Sequence, residues 1–158
     1  MMHLRSLLAG IAISWDDCGA ANGATAKITN VVWSPQNPSA GDNVTITATG
    51  TMTKTITKMN GELEFAGGLI KKSFDGCAGG TVKAPLNLAV ITFPPAGCPL
   101  SPPNLKSVRY VAISNNLPKG KTKSTLKVSD QDGAAFACVD ITLSNTADED
   151  EKAASHLR

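Results

Sequence analysis

Histidine is nearly missing from this chain: His3 and His156 are the only two, one close to each end. No Ser–His or Cys–His arrangement can therefore be assembled in the middle of a fold, which excludes nucleophilic catalysis of that kind. A glycine loop followed by Lys-Ser/Thr is also missing, so the common phosphate cradle is excluded. Aromatic residues are 4% of 158, which leaves Val, Ile, Leu and Ala to fill a core. Charge of one sign is not in excess: 15 basic against 13 acidic groups give a net +2, too balanced to argue for nucleic acid. No segment after the first residues approaches the roughly 18 uninterrupted apolar residues of a membrane span. None of the four cysteines forms a Cys-x-x-Cys pair, which argues against a metal site. Catalytic residues, metal and cofactor are all expected to be none.

Against these absences stand a hydrophobic content of 42% and a length that suits one domain with a sizeable core. Cys18, Cys77, Cys98 and Cys138 are widely spaced, which reads as disulfides and an oxidising compartment. A cysteine that early and one that late can tie together the two ends of a domain. Residues 1–14 resemble a short signal peptide. His3 and Arg5 give a weakly basic start, Leu7 to Ile13 is apolar, and Ala12 and Ser14 are small residues before Trp15. A packed N-terminal arm is the alternative. The expected location is secreted or in an endolysosomal or vacuolar lumen.

Short apolar runs recur with turn signals between them, the pattern of an all-β sandwich. Expected strands are Lys27–Trp33, Asn43–Thr49, Met59–Phe65, Leu69–Phe74, Leu86–Phe93, Val108–Ser114, Thr122–Ser129 and Ala135–Leu143. Asn43–Thr49 alternates strictly, with Val44, Ile46 and Ala48 on one face and threonines on the other, so one face is dry and one wet. The last two strands read as a hairpin turning at Asp130-Gln131-Asp132-Gly133. Asp130-x-Asp132-Gly133 resembles the start of a calcium loop, but the position for its bidentate Glu falls on Val139 or Ile141, so a turn is the reading. Residues 145–158, with Asp148-Glu149-Asp150-Glu151, read as a disordered tail. Asn43-Val44-Thr45 is a glycosylation sequon on an expected surface. Lys121, Lys123 and Lys127 read as a solvated strand face, whereas Lys119 sits in the loop Pro118-Lys119-Gly120, where it could meet anionic headgroups at a membrane.

Read in order, the pieces resemble a family. They are Cys18-Gly19, Ile28-x-x-Val31-x-Trp33-x-Pro35, and Pro38-Ser-Ala-Gly41-Asp-x-Val44-x-Ile46-x-Ala48-x-Gly50. Then follow Phe74-Asp-Gly-Cys77, Gly97-Cys98-Pro99-Leu100, Leu117-Pro118-Lys119-Gly120, and Asp130-x-Asp132-Gly133 with Ala137-Cys138-Val139-x-Ile141. From Cys18 to Leu143 the chain resembles the ML domain, a lipid-recognition family. It takes in the Niemann–Pick type C cholesterol-transfer protein, mite group 2 allergens and fungal phosphatidylglycerol/phosphatidylinositol transfer proteins.

The resemblance implies an immunoglobulin-like sandwich of two antiparallel sheets that holds one lipid between them, tail first. It also implies the disulfides Cys18–Cys138 and Cys77–Cys98. The cavity is expected to be lined by Val44, Ile46, Ala48, Leu63, Phe65, Leu126, Val128, Val139 and Ile141, with Leu117, Pro118 and Lys119 at its mouth. Sterol-transfer relatives usually carry six cysteines, not four. Pocket positions that are aromatic in sterol binders read here as Leu126 and Val139, so a phospholipid or fatty acyl chain stands beside a sterol as the expected ligand. The expectation is a non-enzymatic, monomeric lipid-binding and transfer protein that meets a membrane surface or membrane-protein acceptor. The alternative is a secreted sandwich that acts as an interaction module, recognising protein, carbohydrate or lipid without a transfer role.

Overall fold

The computed structural model describes residues 10–146. They form strands β1 (Ile11–Asp17), β2 (Lys27–Ser34), β3 (Asn43–Thr51), β4 (Asn60–Phe65), β5 (Ile70–Asp75), β6 (Gly80–Lys83), β7 (Ala89–Phe93), β8 (Asn104–Ile113), β9 (Gly120–Ser129) and β10 (Ala135–Asn145). The strands pair antiparallel into two five-stranded sheets, β1-β10-β9-β4-β5 and β2-β3-β8-β7-β6. The sheets face each other as a sandwich, with β1 beside β2 at one edge and β5 beside β6 at the other.

Alternation decides which face is buried. In β3, Val44, Ile46 and Ala48 are buried while the threonines between them are half-buried. Where the alternation breaks, a bulge repairs it. The register of β2 against β3 shifts between Ile28 and Asn30, so both Ile28 and Val31, three positions apart, reach the core. A second shift between Ala135 and Ala137 turns Phe136 inward, where it is 1% exposed. The turn at residues 130–133 forms as expected, with Gly133 in a left-handed conformation and its N–H donating to the Asp130 carbonyl. Lys54 and Gln131 fasten this turn to the β3–β4 connection: Lys54 donates to Asp130 and Asp132, and Gln131 bonds the backbone at Thr55 and Thr57.

The two disulfides are Cys18–Cys138 and Cys77–Cys98. The first joins the β1–β2 crossing to β10. Beside it Cys18 N–H donates to the Cys138 carbonyl and Ala26 N–H to the Phe136 carbonyl. The second joins the β5–β6 connection to the segment that follows β7.

Several expectations shift. Ile11–Ser14, placed above in a signal peptide, belong to β1, which pairs along its length with β10 from Ile11↔Asn145 to Asp17↔Val139. Ile11 and Ile13 are buried in the core, so the apolar run serves as an edge strand here. Residues 1–9 lie outside the described residues. At the other end, Asn145 is no tail residue. It closes β10, is buried, and donates its side-chain amide to the Leu117 carbonyl. The remainder of the expected tail, 147–158, lies outside the described residues. The expected strand Leu86–Phe93 starts only at Ala89, because residues 85–87 form a 3₁₀ turn with Leu86 and Asn87 at positive φ. β6 was not expected; its four residues bury only Val82.

Candidate functional site

Between the sheets lies a cavity of about 420 Å³, within the roughly 300–1,000 Å³ usual for ligand sites. It occupies one half of the sandwich, where β8 begins and β9 ends. One wall is Leu126 and Val128 from β9 and Val139 and Ile141 from β10; the facing wall includes Ile28, Ile46 and Ala48 from β2 and β3. Gly61 and Phe74, paired across β4 and β5, close one side. The missing side chain at Gly61 is what lets the Phe74 ring lie over the strand, since a Cβ there would overlap the ring. Phe74 in turn stacks on Phe93 of the other sheet, with centroids 4.3 Å apart.

The opening follows from strand pairing. β7 pairs with β8 only from Ala89↔Ile113 to Thr92↔Tyr110. Beyond that point the chain runs Pro94-Pro95, which has no N–H to continue the ladder. Among the described residues the first half of β8 is therefore paired only to β3, and its other edge is open. Asn104 to Arg109 all line the cavity, inward and outward residues alike, as happens where a cavity meets an unpaired strand edge. The slit between Pro94–Ala96 and Asn104–Val108 is the mouth, with Lys106 exposed on its rim.

Of the expected cavity residues, Ile46, Ala48, Leu126, Val128, Val139 and Ile141 line this cavity. Val44 and Leu63 are buried in the solid core at 1% and 0% exposure. Phe65 lines a smaller cavity of about 40 Å³ in the other half. Leu117, placed above at the mouth, also lines that small cavity and is buried. Pro118 and Lys119 are exposed beside it. The three stand after β8 ends, at the opposite end of the sandwich from the slit. Asn43, the sequon residue, is exposed at the start of β3.

One charged side chain is buried in the lining of this cavity. Along β8 the residues Leu105, Ser107, Arg109, Val111 and Ile113 face inward, so strand parity alone marks Arg109 as internal. Arg109 is 6% exposed and its guanidinium lies over the Phe93 ring, 5.1 Å from the centre. Burial pushes its pKa down to about 10. With Ile46 and Ile141 it lines both cavities, standing where they meet.

A family model described as the ML domain matches residues 12–145. Two curated Dictyostelium discoideum proteins, both named as candidate phosphatidylglycerol/phosphatidylinositol transfer proteins, are similar in sequence. One is 27% identical over 132 residues, covering 82% of this chain and 84% of its own. The other is 25% identical over 129 residues, covering 82% and 83%. Among solved structures, chicken MD-1 complexed with lipid IVa superposes with a TM-score of 0.54 at 15% identity, over 86% of this chain and 91% of that one. A Niemann-Pick type C2 protein from Japanese carpenter ant gives 0.54 at 13% identity, over 82% and 96%. These two likenesses are of fold.

Proposed function

The chain belongs to the ML domain family, and from its inter-sheet cavity we propose that it is a non-enzymatic protein that carries one lipid between membranes. The observation that carries this reading is the cavity of about 420 Å³ with its apolar walls and its slit between Pro94–Ala96 and the free edge of β8. A sandwich ordinarily fills that space with interdigitated side chains. Here the small side chain of Ala48 helps to leave it open, and an apolar cavity of that kind is stabilised by an apolar guest. Affinity would come from burial of the acyl chain, at roughly 25 cal/mol per Å² before the costs of ordering. The named relatives favour a phospholipid over a sterol as cargo.

Transfer requires the slit to meet a membrane, and Lys106 on its rim suits an anionic surface. Two disulfides fit a secreted or endolysosomal location, and exposure of Asn43 supports its use as a glycosylation sequon there. The test is movement of a fluorescent phospholipid from donor to acceptor vesicles. A saturable acceleration by catalytic amounts of protein is expected. Uptake of lipid without any acceleration would reduce the role to binding, and neither uptake nor acceleration would end the reading.

A further inference from the structure

We infer that Arg109 is an anion anchor inside the cavity, so that the lipid held there carries a carboxylate or phosphate that enters the protein and pairs with the guanidinium. The inference rests on the cavity being a lipid site and names the chemistry of its ligand.

Arg109 carries its charge into an almost wholly enclosed position. The side chain is more than nine-tenths buried and lines the cavity. Its contact is the face of Phe93, which attracts a cation but accepts no hydrogen bonds in the plane of the guanidinium. Among the described residues it makes no ion pair. The acidic groups that form ion pairs are engaged elsewhere: Asp130 and Asp132 with Lys54, Asp140 with Lys123, and Glu64 with Lys127. Even with its pKa lowered to about 10, the group is charged at neutral pH.

A buried, charged guanidinium without an anion is strongly unfavourable, and ionisable groups perturbed by burial in a cleft cluster at functional sites. The planar fork suits two oxygens of a carboxylate or phosphate. Ser107, two residues earlier on the same inward face, lines the same space and offers a hydroxyl. With Ile46 and Ile141 flanking Arg109, an anionic head bound there has apolar walls for its chain on either side. The ligand then enters head inward, and a neutral sterol leaves the charge unanswered.

The test uses the full chain, freed of lipid, and calorimetric titration with oleic acid, oleic acid methyl ester and oleoyl lysophosphatidic acid. Wild type is expected to bind the acid at least tenfold tighter than the ester. Arg109→Met should remove that preference and leave the ester's affinity in place, and Arg109→Lys should keep part of it. A stronger response to lysophosphatidic acid than to oleate would assign the anion as phosphate, and the reverse as carboxylate. Equal binding of acid and ester by wild type overturns the anchor but leaves the cavity reading standing. An acid preference that persists in Arg109→Met and disappears in Lys106→Gln also overturns it, because the anion then sits at the rim. Binding of none of the three ends the cavity reading and the anchor with it. The wild-type comparison needs no variant, so it stands even if Arg109→Met folds poorly.

Discussion

The rings of Phe74 and Phe93 stack across the two sheets, 4.3 Å between centroids and 16° from parallel. They close one side of the cavity while fixing the gap between β5 and β7. Phe93 is buried and also carries Arg109. Phe93→Ala should lower the unfolding free energy by about 3 kcal/mol, as large-to-small changes of a buried Phe do. Urea denaturation measures this, and a loss below about 1 kcal/mol would mean that the stack does not hold the sheets.

Val139 is 5% exposed and faces the cavity from β10. Val139→Trp should fill part of the empty volume with its own side chain. Affinity for an acyl-chain probe is expected to fall by roughly tenfold or more, about 1.4 kcal/mol, while the circular dichroism spectrum stays that of a β protein. Unchanged affinity would place the lipid elsewhere.

The two disulfides close loops of very different length, 120 and 21 positions. On the chain-entropy account the longer should contribute about 5 kcal/mol and the shorter about 3 kcal/mol. The variant Cys18→Ser/Cys138→Ser should therefore unfold at lower denaturant than Cys77→Ser/Cys98→Ser. The opposite order would show that the Cys77–Cys98 bridge supports the native cavity wall beyond its effect on the unfolded chain.

Asp130 is held ionised below its ordinary pKa, first by the hydrogen bond from Lys54 and then by the N–H groups of Asp132 and Ala134. The unfolded chain has the ordinary value, about 3.9. In acid the unfolded state therefore binds the proton first. The stabilisation is complete above about pH 4 and is lost as pH falls through the lowered value. Melting temperatures of wild type and Asp130→Asn should differ clearly near neutrality and converge in strong acid. A constant gap across that range would remove the ion pair as its cause.

Much of the sandwich was legible because period-2 alternation is a local property. The strands from Asn43, Thr122 and Ala135 follow from it with small changes of boundary. β1 was not legible: Ile11-Ala12-Ile13 is apolar enough to resemble a leader, and only pairing with β10 makes it an edge strand. Parity identifies residues that face inward, but it cannot distinguish the packed half of a core from the hollow half. By parity alone Val44 and Leu63 are indistinguishable from Ile46 and Val139, though they sit in the packed half. The mouth depends on distance. β8 has ten residues at about 3.3 Å each, so its ends are roughly 30 Å apart, and the Leu117 loop stands at the end away from the slit. Two features of the sequence do mark the hollow half: Phe93-Pro94-Pro95, which ends the β7–β8 ladder, and Arg109 in the inward parity of β8.

The central claim is that the inter-sheet space holds lipid. The most direct measurement is organic extraction of the purified protein, with mass spectrometry of the extract against a mock purification. The account predicts one enriched lipid class near one molecule per protein, lost in Val139→Trp. An extract no richer than the mock, together with no uptake of offered fatty acid, phospholipid or sterol, would contradict it.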